Sequence, residues 1–208
     1  MAFNAMSIER GINLDLKNKI VEATERVLLT NGLAKTTTKE IARAAGCSEG
    51  SLYNHFRNKE DIFLHVLQGK LKNLMGALTL LQSLAGKETV RRNLKQVALA
   101  ALEDYHSSMP LICSIFSEPE ILLRHREDFT LRNESPYGAN EAVEAYLMNE
   151  KNIGRISEKL HPRAVADILL GSCFQRAFQL NFLGKEESLE EGGEFVNRIL
   201  DALFPGQA

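Results

Sequence analysis

The stretch from Thr37 to Phe56 leaves the chain little choice of fold. Thr37 followed by Glu40 is a capping box: the threonine hydroxyl accepts the Glu40 N–H and the carboxylate reaches back to the Thr37 N–H, so a helix starts at Thr38. Gly46 ends that helix after Ala45, and Ser48 is a good N-cap for a further short helix reaching Phe56. Two short helices joined by a glycine turn make a helix-turn-helix. On the second helix, a rotation of about 100° per residue sends Leu52 and Phe56 to one buried side. Gly50 and Asn54 fall opposite, Ser51 and Tyr53 on the flanks, and Glu49 and His55 near the boundary.

A short, polar and aromatic exposed face suits the major groove of DNA. Asparagine can bond adenine bidentately, serine can bond most base edges, and a glycine lets the backbone itself approach. Tyr53 and His55 can reach phosphates or thymine methyls. Thr37 and Thr38 at one helix start, and Lys59 at another, add hydroxyl, N–H and ammonium groups suited to phosphate. Each residue has a plainer alternative taken alone: Tyr53 packing on the preceding helix, His55 as a structural histidine, Thr37 as a cap and nothing more. The joint pattern on a helix-turn-helix favours DNA.

Helical signals continue in both directions, with no convincing strand. Leu16, Ile20, Ala23 and Val27 form one apolar stripe that Asn31-Gly32 terminates. Asn58 caps a helix opening Lys59-Glu60-Asp61. Beyond it the pattern predicts helices at about 59–84, 88–107, 111–129 with a break near Pro119, 138–152, 162–183 and 189–204, punctuated by Pro110, Pro162, Gly86, Gly154 and Gly184. The fold class is therefore all-α: an N-terminal helix-turn-helix domain at 15–70, preceded by a loose arm at 1–14, and a helical bundle at 71–208. Gly192-Gly193 inside the final helix fits either a close crossing or a break.

Composition narrows the class further. No apolar run approaches the roughly 20 residues that span a bilayer, and the first 13 residues do not resemble a secretion signal, so the expected location is the cytoplasm. Cys47, Cys113 and Cys173 are odd in number and widely spaced, which fits reduced thiols better than disulfides or a zinc cluster; neither metal nor cofactor is expected. The net charge of −2 hides a change of sign, from +2 over residues 1–70 to −4 over 71–208, which permits nucleic-acid binding at the N-terminal end.

The run TTTKEIARAAGCSEGSLYNHFRNKEDIF, residues 36–63, resembles the DNA-binding segment of the TetR family of bacterial transcriptional regulators. Thr37, Ile41-Ala42, Ala45-Gly46, Ser48, Gly50, Leu52-Tyr53, His55-Phe56, Lys59-Glu60 and Phe63 carry it in unbroken register. Cys47 stands where that family usually has an aliphatic residue. The resemblance implies an all-helical homodimer that binds operator DNA, dimerises through its last two helices and responds to a small effector, most often as a repressor. It implies that Thr37, Tyr53, His55 and Lys59 contact the DNA backbone while exposed residues of the second short helix read bases, and the candidate DNA-binding set also takes in Thr38, Glu49, Gly50, Ser51 and Asn54.

The effector is expected among large and semi-polar residues of the middle helices: Tyr105, His106, Met109, Phe116, Tyr137, Tyr146, Phe174, Gln175 and Phe178. They suit a small, mostly apolar ligand whose binding would tilt the helix that begins at Lys59. A ligand-binding or scaffolding protein without DNA binding is the alternative. An enzyme has less in its favour: His106, His125, Cys113, Ser114, Glu118 and Glu120 fall in no catalytic motif.

Overall fold

The computed structural model describes residues 2–131, 135 and 137–205, with backbone alone for 2–14, 128, 129 and 131. The order is α1 (Ala2–Asn31), α2 (Thr38–Ala45), α3 (Glu49–Tyr53), α4 (Lys59–Lys70), α5 (Lys72–Gln82), α6 (Val90–Ser117), α7 (Pro119–Leu131), α8 (Gly138–Asn152), α9 (Pro162–Leu183) and α10 (Leu189–Leu203). No strand occurs among the described residues. The chain forms two compact units, one of Met1–Gly69 with Leu111–Glu127 and one of Lys70–Pro110 with Asp128–Ala208.

In the first unit Ile20 and Ala23 are fully buried, with Ile41, Leu52, Phe56, Ile62 and Phe63. The α1 helix starts at Ala2, within the segment expected to be an arm and ahead of the stripe at Leu16. No proline lies in that segment to stop the hydrogen-bond ladder from running back. The α3 helix is shorter than expected, ending at Tyr53. The chain then turns through His55 N–H to Leu52 C=O, at 3.0 Å, and Phe56 enters the core just ahead of the Asn58 cap.

In the second unit α5, α6, α8, α9 and α10 share one core around Leu94, Ala101, Val143, Tyr146, Leu169 and Leu200. A buried carboxylate fastens one corner of it: Glu150 accepts from the Gly86 N–H at 3.1 Å and pairs with Arg155, also at 3.1 Å. Arg155 in turn donates to the Glu88 carbonyl.

Two expected boundaries moved, each because a distant side chain takes up a backbone group. The single helix expected over 59–84 is broken at Leu71. Buried Asp104 from α6 accepts the Leu74 N–H at 2.8 Å and the Asn73 amide at 2.9 Å, so α5 starts anew under an external acidic cap. Conversely, α6 continues without interruption past Pro110, where a break was expected. Proline offers no N–H to the carbonyl four residues earlier, that of His106, and Asn181 from α9 donates to that carbonyl at 3.0 Å. Replacing Asn181→Leu should lower stability by about 1–2 kcal/mol in urea unfolding, the cost of a part-buried carbonyl left unpaired. In a Pro110→Ala background the loss should shrink, because alanine restores the missing N–H; an equal loss in both backgrounds would refute this assignment.

The α10 helix continues through Gly192-Gly193. A Cβ on Gly192 would come within 3.3 Å of the Leu102 side chain, so this glycine permits a close crossing with α6. Gly193 has open space, and nothing in the structure explains it.

Candidate nucleic-acid interface

Local hydrogen bonding fixes the shape of the α2–α3 corner. Thr37 Oγ1 accepts the Glu40 N–H at 3.3 Å, and the Glu40 carboxylate accepts from the Thr37 N–H at 3.1 Å and the Thr37 hydroxyl at 2.9 Å. Gly46 closes α2 in the left-handed conformation, at φ 70°, which only glycine adopts without strain, and the Cys47 N–H returns to the Ala42 carbonyl at 3.0 Å. Ser48 then caps α3 by accepting the Ser51 N–H at 3.0 Å.

Leu52, fully buried, and Phe56 anchor α3 inward. The His65 and Phe56 rings meet edge to face at 5.1 Å between centroids, and the Lys17 ammonium lies 5.5 Å from the centre of the Phe56 ring. With that side fixed, Glu49, Gly50, Tyr53 and Asn54 are exposed and Ser51, His55 and Lys59 half-buried. Asn58 Oδ1 accepts the Asp61 N–H at 2.8 Å, which sets the start of α4 and so the position of Lys59. Of the nine residues expected to face DNA, Thr37, Thr38 and Lys59 stand at the starts of α2 and α4 and Glu49, Gly50, Ser51 and Tyr53 on α3, whereas Asn54 is its C-cap and His55 lies half-buried in the turn beyond it.

Two details were not visible in the sequence. The Thr38 hydroxyl donates to Glu49 Oε2 at 3.0 Å, tying the first residue of α2 to the first of α3. A Cβ built on Gly50 would meet only Ser48 Oγ, at 3.7 Å. That is ordinary contact, so the packing of this chain does not demand a glycine there. Cys47 lies half-buried in the turn, and burial raises its thiol pKa, which argues against a reactive thiolate.

The residues expected to bind an effector are dispersed. In the second unit Tyr105 meets Phe174 edge to face at 5.5 Å, His106 is half-buried and Met109 is buried. Tyr146 is fully buried in the core, where its hydroxyl accepts from Asn93 at 2.9 Å. Burial raises the pKa of Tyr105 and of Cys173 to about 12. Phe174, Gln175 and Phe178 point outward from α9, beside Ile168 and Phe182, and Tyr137 is exposed. Phe116, also exposed, belongs to the first unit. A groove of about 440 Å3 opens at the α9–α10 elbow, lined by Arg176, Phe178, Leu180, Phe182, Leu183 and Glu187. Among the described residues there is no group of three or more His, Cys, Asp or Glu side chains able to hold a metal, and no helix is long and apolar enough to cross a membrane.

Residues 20–66 match the model of the TetR family of bacterial regulatory proteins. The transcriptional regulator QacR of Staphylococcus aureus is 41% identical over 54 residues, 26% of this chain; the match spans 29% of that relative's own length. The fatty acid metabolism regulator protein of Bacillus subtilis is 24% identical over 157 residues, covering 74% of this chain and 77% of the relative. The crystal structure of the transcriptional regulator FadR from Bacillus subtilis in complex with stearoyl-CoA superposes with a TM-score of 0.66 at 19% identity, covering 91% of this chain and 98% of that one, and shares its fold. These relatives are named as regulators, and none as an enzyme. The helix-turn-helix, built as its sequence requires, is thus that of the TetR family of bacterial regulatory proteins, matched over residues 20–66.

Proposed function

We propose that this chain is a ligand-responsive transcriptional repressor that binds an inverted-repeat operator as a homodimer and leaves it when a small apolar effector binds. The part at about 15–70 holds the DNA and the part beyond it dimerises and takes the effector. The observation that carries the reading is the exposed side of α3, where Gly50 and Tyr53, followed by the C-cap Asn54, stand clear of the core on a helix pinned by Leu52. One short helix reads only a few base pairs, so two copies on half-sites about 34 Å apart, or a larger compatible interval, are required for useful specificity.

Electrophoretic shift on the DNA upstream of the chain's own gene tests the assignment. Tyr53→Ala and Lys59→Ala should weaken binding on every sequence, and Lys59→Ala should also flatten the salt dependence by about one ion. Asn54→Ala should chiefly change base preference. Unchanged affinity in the Tyr53 and Lys59 variants would reject these contacts.

The outward face of α9 supports dimerisation through the last two helices. Ile168, Phe174, Phe178 and Phe182 form a stripe exposed to solvent in one protomer, and a Cβ on Gly171 in the same stripe would meet nothing within 4 Å. A stripe of aromatics around a glycine fits a second helix at close range. For the effector, the stearoyl-CoA bound by one structural neighbour directs the first trial to long acyl chains, and Tyr105, His106 and Met109, on the buried side of α6, are the side chains of choice to meet an apolar ligand. A hundredfold loss of operator affinity requires the effector to favour the DNA-incompetent state by about 2.7 kcal/mol.

A further inference from the structure

Resting on the reading of α3 as the recognition helix, we infer that Glu49 selects a cytosine in each operator half-site and that Thr38 is the positioning residue whose hydroxyl, 3.0 Å from the Glu49 carboxylate, aims it. Glu49 is the first residue of α3, directly after the Ser48 cap, and its side chain is exposed beside Gly50. Among the described residues Thr38 is its hydrogen-bond partner and no cation pairs with it.

The chemistry of the groove then restricts what a carboxylate in this place can meet. Phosphate repels it. Guanine presents N7 and O6, both acceptors, and thymine presents O4 and a methyl group. Adenine offers its N6 amino group, but N7 beside it would face the second carboxylate oxygen. Cytosine offers the N4 amino group with no acceptor next to it on the major-groove edge, and so is the one favourable base. The Thr38 bond uses one lone pair of Oε2 and leaves the rest of the carboxylate free. It also holds a flexible side chain near one rotamer before DNA arrives, which reduces the entropy lost on contact.

A purely structural role for Glu49, as a bridge between α2 and α3 and an acid in the first turn of a helix, makes a different prediction. Glutamine keeps an oxygen for the Thr38 hydroxyl but turns amide donors outward, and an amide bonds adenine bidentately. The structural role predicts the same operator for both residues, whereas base reading predicts a change at one position.

The experiment is selection of full-length wild-type, Glu49→Gln, Thr38→Val and Thr38→Ser proteins on a randomised double-stranded DNA library, with thermal melts alongside. Wild type should enrich an inverted repeat with cytosine at one fixed position of each half-site, preferred about tenfold over the other bases. Glu49→Gln should move that position to adenine and leave the others as they were. Thr38→Val should flatten the preference there alone, and Thr38→Ser should restore it, with no loss of melting temperature in the glutamine and serine variants. An identical consensus for wild type and Glu49→Gln overturns the inference and leaves DNA binding standing. Failure of the wild type to enrich any sequence overturns both.

Discussion

Replacing Phe178→Glu and Phe182→Glu together should convert the protein to monomers and lower operator affinity by at least about a hundredfold. Both rings are exposed in the protomer, Phe182 at 80%, and they stack on each other at 6.4 Å. The substitutions therefore remove little from the protomer's own core, and the double variant should melt near the temperature of an isolated wild-type protomer. In an interface built on this face the new carboxylates would be taken out of water, at a cost of several kcal/mol. Two half-sites held by one dimer benefit from an effective concentration that two separate monomers lack, which gives the factor of a hundred or more. Light scattering at micromolar concentration and a shift assay on the same operator check both parts. A dimer that survives the double substitution would place the interface elsewhere.

Gly50→Ala should move stability and DNA binding in opposite directions. Glycine within a helix costs about 0.5–1 kcal/mol relative to alanine, and the new Cβ would sit 3.7 Å from Ser48 Oγ without strain. The variant should thus be the more stable protein by thermal melt. If α3 lies against base edges or phosphates at this point, the added methyl blocks that approach, and operator affinity should fall by an order of magnitude or more, about 1.4 kcal/mol per tenfold. Unchanged affinity together with higher stability would mean that the glycine face of α3 does not touch DNA.

The helix-turn-helix was legible in the sequence because its signals are local. The Thr37–Glu40 box, Gly46 and the Ser48 cap each act within four residues, and the structure has α2 at Thr38–Ala45 and α3 starting at Glu49 as they require. The same holds for the end of α8 and for α9, bounded by Gly154, Pro162 and Gly184. What could not be read depends on partners far along the chain. Pro110 disfavours a helix by local rules, and the Asn181 amide arriving from α9 satisfies the carbonyl that the proline leaves without a donor. Gly69 only weakens the helix before Leu71, and the new start of α5 is capped by Asp104 from far along the chain. The Thr38–Glu49 bond depends on the angle between two helices, which capping patterns do not specify. The large apolar residues were hardest to assign: Tyr146 in the core and Phe178 on the outer face of α9 have the same kind of sequence neighbourhood, and only packing tells them apart.

The central claim, that an exposed α3 carried by a dimer reads an inverted repeat, is tested most directly by footprinting the full-length protein on the DNA upstream of its own gene, with protomer stoichiometry measured on the protected fragment. The account predicts one defined protected region with two-fold sequence symmetry, an even number of protomers on it, and loss of protection with Tyr53→Ala. Protection spread evenly along the DNA, or a single protomer on an asymmetric site, would contradict it.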